Sequence, residues 1–238
     1  MASPAHGRSE LYQRDYLMRQ IEIAGQMLAR ILRVAKGGRR GEALGLFDQA
    51  YQPLLGVSAR VVSTLSEEQL LSLLTSGSMP DLRRVAMVLE LLKVEADLHT
   101  EAGNHAAAVH RYRRALALAG FLAARSQALP DATLAADLVE RAATLELSVA
   151  QRIDLARVLE ALGRYADAED ALFEAIDADP DDPGPVDSAI AFCQRLLALD
   201  PARLAAGGLP LDEVKASLAE LLRRQPAVVE DGGEPPAW

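Results

Sequence analysis

Apolar residues recur early in this chain at Leu17, Ile21, Ala24, Leu28, Ile31 and Ala35, in alternating steps of four and three. Such steps trace one stripe down an α-helix, so a long amphipathic helix is predicted, ending before Gly37 and Gly38. The next stripe predicts a helix over 42–51 that stops near Pro53, because proline lacks the donor that an interior turn needs. Ser66 and Gln69 form a capping-box pair that opens a short helix closed by Gly77. Pro80 and Asp81 begin a run to Ala102, and Gly103 with Asn104 turns the chain into a helix reaching residue 125. Further helices are predicted over 131–145, 148–162, 165–178, 186–199 and 211–224, with DPDDPGP and GGLP as breaks. No segment reads as a strand, so the fold class expected is all-α, with about ten to twelve helices.

Three of the turns share a spacing. A glycine is followed five residues later by alanine, nine later by a large side chain and twelve later by alanine again. The sets are Gly38, Ala43, Phe47, Ala50; Gly103, Ala108, Tyr112, Ala115; and Gly163, Ala168, Leu172, Ala175. Glycine suits backbone angles that a side chain penalises, and the alanines let the second helix of a pair approach its neighbours closely. Ile31, Ala96 and Ala156 precede the glycines by seven residues, and Val34, His99 and Leu159 by four, giving each first helix a mostly compact inner face. A lone hairpin of this kind leaves apolar surface exposed, so neighbouring hairpins must stack.

This spacing resembles the tetratricopeptide repeat, a helical hairpin of about 34 residues. LARVLEALGRYADAEDALFEAIDADP carries the likeness best, through its Gly163-x-Tyr165 turn, both alanines and the closing Asp179-Pro180. The second copy departs at Glu95, His99 and Gly120, where the pattern prefers an apolar residue, an aromatic and proline; the first departs at Arg30 and in its long leading helix. The whole chain is also similar to uncharacterised bacterial repeat-like families. The resemblance implies a right-handed α-solenoid over residues 11–224, with its best repeats near 24–52, 89–120 and 149–182. It further implies a partner-binding groove lined by the first helix of each repeat. Residues 1–10 are expected to be disordered and 225–238 to form a flexible tail containing Trp238.

Composition narrows the setting. The single cysteine, Cys193, excludes an intrachain disulfide and fits a reducing, cytoplasmic compartment. No leader-like apolar core and no run of about 18 apolar residues is present, so neither secretion nor a membrane span is expected. A net charge of −9 argues against nucleic acid, whose phosphates draw affinity from Lys and Arg. The charge is uneven: residues 1–50 hold eight basic and five acidic side chains, and 151–238 hold eight and eighteen. Residues 167–187 alone hold nine carboxylates and no base, a solvated face or a dock for a basic partner.

The resemblance implies that positions on the first helices would face a partner. Those matching a carboxylate clamp hold Leu28, Leu32 and Lys36, then Lys93, Asp97 and Glu101, then Ile153, Arg157 and Ala161. Lys93 alone fits the clamp, so that mode is not expected. Lys93, Asp97, Glu101, Arg157 and Glu160 stand as partner-binding candidates. His99, His105 and His110 cross a turn instead of following the i, i+4 spacing of a ligand helix, so no metal is expected. The aspartates after Asp177 lack the glycine and glutamate of a calcium loop, and KGGRRG lacks the Walker spacing. No catalytic set and no cofactor site is recognised.

The leading helix is longer than a hairpin partner can cover, at about 1.5 Å per residue. Tyr12, Tyr16, Leu17 and Met18 are therefore candidate contacts of a homodimer. The function expected is a non-enzymatic protein-interaction scaffold with an unknown protein or peptide partner. The alternatives are a self-assembling structural protein using the first helix, and a small-molecule sensor or enzyme with a pocket between hairpins.

Overall fold

The computed structural model describes the backbone of residues 4–75, 81–126, 129 and 131–224; side chains before Asp15 lie outside the described set. Among the described residues every regular element is a helix: α1 (Pro4–Lys36), α2 (Arg40–Gly45), α3 (Phe47–Leu55), α4 (Ala59–Val62), α5 (Glu67–Thr75), α6 (Leu82–Glu101), α7 (His105–Ser126), α8 (Ala132–Ala142), α9 (Val149–Ala161), α10 (Tyr165–Ala178), α11 (Pro183–Leu196), α12 (Pro201–Ala206) and α13 (Leu211–Arg224).

The repeated glycines make the turns the spacing requires. Gly38, Gly103 and Gly163 have φ of 79°, 75° and 75°, the left-handed region that a Cβ disfavours. Each donates its N–H to the carbonyl three residues back, and the next residue donates to the carbonyl five back, as in Arg164 to Leu159 at 2.9 Å. These paired bonds satisfy the orphan carbonyls of α1, α6 and α9. A fourth turn of the same kind, at Gly208 with φ of 81°, joins α12 to α13 without the alanine pattern. All six alanines of the three sets are buried, as are Phe47, Tyr112 and Leu172.

Side-chain caps fix the other ends. Asp81 and Asp131 accept backbone N–H bonds at the starts of α6 and α8, and Ser148 forms a capping box with Gln151 on α9. Ser66 and Gln69 exchange the reciprocal bonds at 3.1 and 2.8 Å. Gly77, Pro80 and Pro130 lie outside the described residues.

Four local expectations need correction. The helix expected over 42–51 is split at Leu46 into α2 and α3, and α3 runs through Pro53 to Leu55. Proline keeps a helical φ there while buried Leu54 and Leu55 hold the last turn, and Gly56 at φ of 71° ends it. DPDDPGP is only partly a break: Pro183 begins α11, where a missing N–H costs nothing, and Asp182 caps it through Gly184 N–H at 2.9 Å. Pro201 begins the extra helix α12 in the same way, capped by Asp200. Finally, α1 starts at Pro4 instead of residue 11, since an existing helix extends at one hydrogen bond per residue fixed.

Packing runs from neighbour to neighbour. α1 lies against α3, both meet α6, and α6 pairs with α7. α7 leads to α9, α9 pairs with α10, α10 meets α11, and α11 pairs with α13. α5 and α8 fill the sides of α7. α7 and α9 approach closely, and a Cβ on Gly120 would sit 2.5 Å from Asp154 Oδ1. Gly120 is therefore an interhelical contact point as well as a departure from the repeat.

Gly120→Ala is expected to lower the free energy of unfolding by about 1–3 kcal/mol, the usual cost of overpacking. Gly41→Ala, where added bulk would meet open space inside α2, should instead raise it by up to about 1 kcal/mol. Urea denaturation of both variants checks this contrast.

Candidate functional site

Two adjoining cavities, of about 270 and 490 Å³, lie along the first helices of the last two hairpins, α9 and α11. Arg157, Glu160 and Arg195 line both. Ile153, Ala156, Leu172 and Phe192 make an apolar floor at one end, and Tyr165 and Arg203 close the other. Helical spacing explains the convergence: Ile153, Ala156, Arg157 and Glu160 share one face of α9.

The groove's charges are held in place. Arg195 donates to both oxygens of Glu160, at 2.8 and 2.7 Å, a bidentate pair across α9 and α11. Arg157 donates to Asp154 at 2.9 Å, and Arg203 to the Tyr165 hydroxyl at 2.9 Å. Tyr165 is further fixed because its N–H and that of Ala166 both bond to the Gly207 carbonyl, leaving no room for a side chain at Gly207. Burial pushes the Asp154 carboxyl up to about 6, against the lowering pull of Arg157.

Of the five partner-binding candidates, the structure brings Arg157 and Glu160 together here. It does not bring Lys93, Asp97 or Glu101 to the groove. Lys93 bridges Asp97 on its own helix, at 2.8 Å, and Asp137 on α8, and it sits partly buried. Glu101 accepts from Arg40 at 2.7 Å at the far end of α6. Arg195 and Arg203, which complete the groove, were missed because their helix positions have no counterpart in the three repeat copies.

Charges elsewhere serve the frame. In the acidic stretch 167–187, Asp167 pairs with Arg164, Glu174 with Arg152, and Asp182 caps α11. Trp238 lies outside the described residues. Cys193 is buried, and burial pushes its thiol up to about 11, away from thiolate chemistry at neutral pH. Among the described residues no group of three His, Cys, Asp or Glu side chains is placed to hold a metal, and no helix is long and apolar enough to cross a membrane.

A second polar cluster was invisible to pattern reading. Glu95, the odd residue of the second copy, is buried between α3, α6 and α7. It accepts from the Tyr51 hydroxyl at 2.7 Å and Arg111 at 2.9 Å, with His99 at 3.8 Å. Burial works to raise its pKa, but His99, Arg111 and Tyr51 outweigh it and hold the carboxyl below its usual range. On α1, Tyr16 and Met18 are exposed and Leu17 half-buried, with Met18 Sδ accepting from Arg83 at 3.0 Å. The Tyr12 side chain lies outside the described residues.

Comparison with known proteins assigns a family and no activity. The model of the Family of unknown function (DUF6483) matches residues 11–225, so the chain belongs to that family. Neither the curated proteins nor the solved structures yield a match.

Asp154 generates a pH prediction. Its folded pKa, about 6, exceeds the ordinary 3.8, so the folded chain holds this proton more tightly than the unfolded one. Its contribution is fully present below pH 3.8 and lost as pH rises to about 6. Relative to wild type, Asp154→Asn should therefore gain about 1–3 kcal/mol of unfolding free energy between pH 4 and 6.5. Urea titrations at a series of pH values measure it; a flat difference would refute the assignment.

Proposed function

Starting from a family without an assigned activity, we propose that this chain is a non-enzymatic, tetratricopeptide-like scaffold. Its hairpins stack as a right-handed solenoid, and it holds an extended segment of a partner protein in the groove between α9 and α11. The carrying observation is that two cavities meet on Arg157, Glu160 and Arg195, on the first helices of consecutive hairpins. Support for the repeat reading comes from the matching turns at Gly38, Gly103 and Gly163 and from the neighbour-to-neighbour packing. The apolar floor would take small side chains of the segment. Arg157, Arg195 and Arg203 would take its carbonyls and carboxylates. A reducing cytoplasm suits this role, as the lone, buried Cys193 needs no oxidising compartment.

A second reading, self-association through α1, has its own observation. Tyr16, Met18 and Ile23 are 66%, 40% and 42% exposed, and an apolar groove of about 500 Å³ lined by Ile21, Leu82, Met87, Leu122 and Leu134 lies beside them.

Two measurements separate these readings. Affinity capture from host lysate with wild type and with Arg157→Ala/Arg195→Ala should give a partner with the first and at least tenfold less with the second. Equal recovery with both would remove the groove reading. Analytical ultracentrifugation at tens of micromolar should show a monomer; a dimer that Met18→Glu dissociates would favour self-association instead.

A further inference from the structure

Arg114 is the largest fully buried side chain among the described residues, at 2% exposure, yet it forms no hydrogen bond or ion pair with the described residues. Its Nε and Nη1 are enclosed and unpartnered. A buried guanidinium in that state is costly, and such groups normally meet a carboxylate, water or a ligand. The neighbouring acids bond other groups: Glu95 accepts from Arg111 and Tyr51, and one oxygen of Glu67, Oε1, accepts from Gln151 at 2.7 Å. Arg114 feels both only through space.

The same arginine lines a cavity of about 520 Å³ between α5 and α7, away from the α9–α11 groove. Thr64, Ser66, Glu67, Glu68 and His110 share the lining with Leu65 and Gln69. His110 makes a 3.0 Å ring-nitrogen contact with the Ser63 carbonyl, and burial with the Arg114 charge lowers its pKa, so it stays neutral at physiological pH. The lining therefore carries one cation, Arg114, and two carboxylates, Glu67 and Glu68, together with the Ser66 and Thr64 hydroxyls. Arg111 and Glu95 behind them cancel. A simple dianion would meet Glu67 and Glu68 as repulsion, and a simple cation would meet Arg114.

From this mixed lining and the unpartnered Arg114 donors we infer a binding site for a small zwitterion of the amino-acid class, its carboxylate on Arg114 and its ammonium on Glu67. Such a ligand matches both kinds of charge in the lining and brings no net charge into a half-closed site. Arginine, with a planar edge of donors, holds a carboxylate where lysine would supply only a point charge. The inference is independent of the peptide groove, because no residue lines both cavities.

The test titrates the full chain with glycine at constant ionic strength and follows the Nε–H resonance of Arg114 by NMR. Its loss in Arg114→Lys assigns the resonance; triple-resonance assignment of the wild type serves if that variant does not fold. The resonance should shift saturably with glycine, at least tenfold more weakly with acetate or methylammonium alone, and at least tenfold more weakly for glycine in Glu67→Gln. An unmoved resonance overturns the site. An equal response to acetate overturns the zwitterion and leaves a plain anion site.

Discussion

Close approach between paired helices is the constraint on which everything else in this molecule rests. Alanines at fixed distances after each turn glycine remove the side-chain volume that would hold the second helix away. The glycine itself accepts the left-handed angle that reverses the chain within two residues. Every buried methyl then has partners on several sides, and the many small dispersion contacts add up. Gly120 carries the principle to its limit, since α7 and α9 touch backbone to side chain at Asp154. The price is that a polar side chain at such a contact is desolvated, which raises the Asp154 carboxyl.

Charge inside the stack follows from the same tightness. Where an apolar residue would fill the second hairpin, Glu95 sits instead and must be paired, so Tyr51 and Arg111 converge on it from α3 and α7. This ties the first hairpin to the second by hydrogen bonds that a purely apolar contact would lack. Arg114, one turn beyond Arg111, has no such acid left to it. Its Nε and Nη1 are buried without a partner among the described residues because the acids near it, Glu95 and Glu67, already accept from Tyr51, Arg111 and Gln151.

The two ends of the chain differ in how they use surface. At the C-terminal end, the carboxylates cap helices and pair with arginines, leaving a groove whose own lining is rich in arginine despite the acidic surroundings. At the N-terminal end, α1 outruns its partners and leaves apolar side chains exposed. Both follow from helix length and spacing: α9 and α11 leave a trough between them, and α1, at 33 residues, is longer than the helices packed against it.

The helical periods, the caps at Ser66, Asp81 and Ser148, and the three glycine turns were legible along the chain because each depends on residues a few positions apart. The spacing along α9 also put Arg157 and Glu160 on one helix face, and the structure has both lining the same cavities. The same patterns misread Pro53 and Pro183, where burial of neighbouring leucines and a capping aspartate outweighed the bias of proline. Arg195 and Arg203 joining the groove, Lys93 turning to Asp137, and the Arg114 Nε and Nη1 finding no partner among the described residues all depend on which helices meet. Those meetings are set by packing between residues tens of positions apart, which no periodicity along one helix encodes.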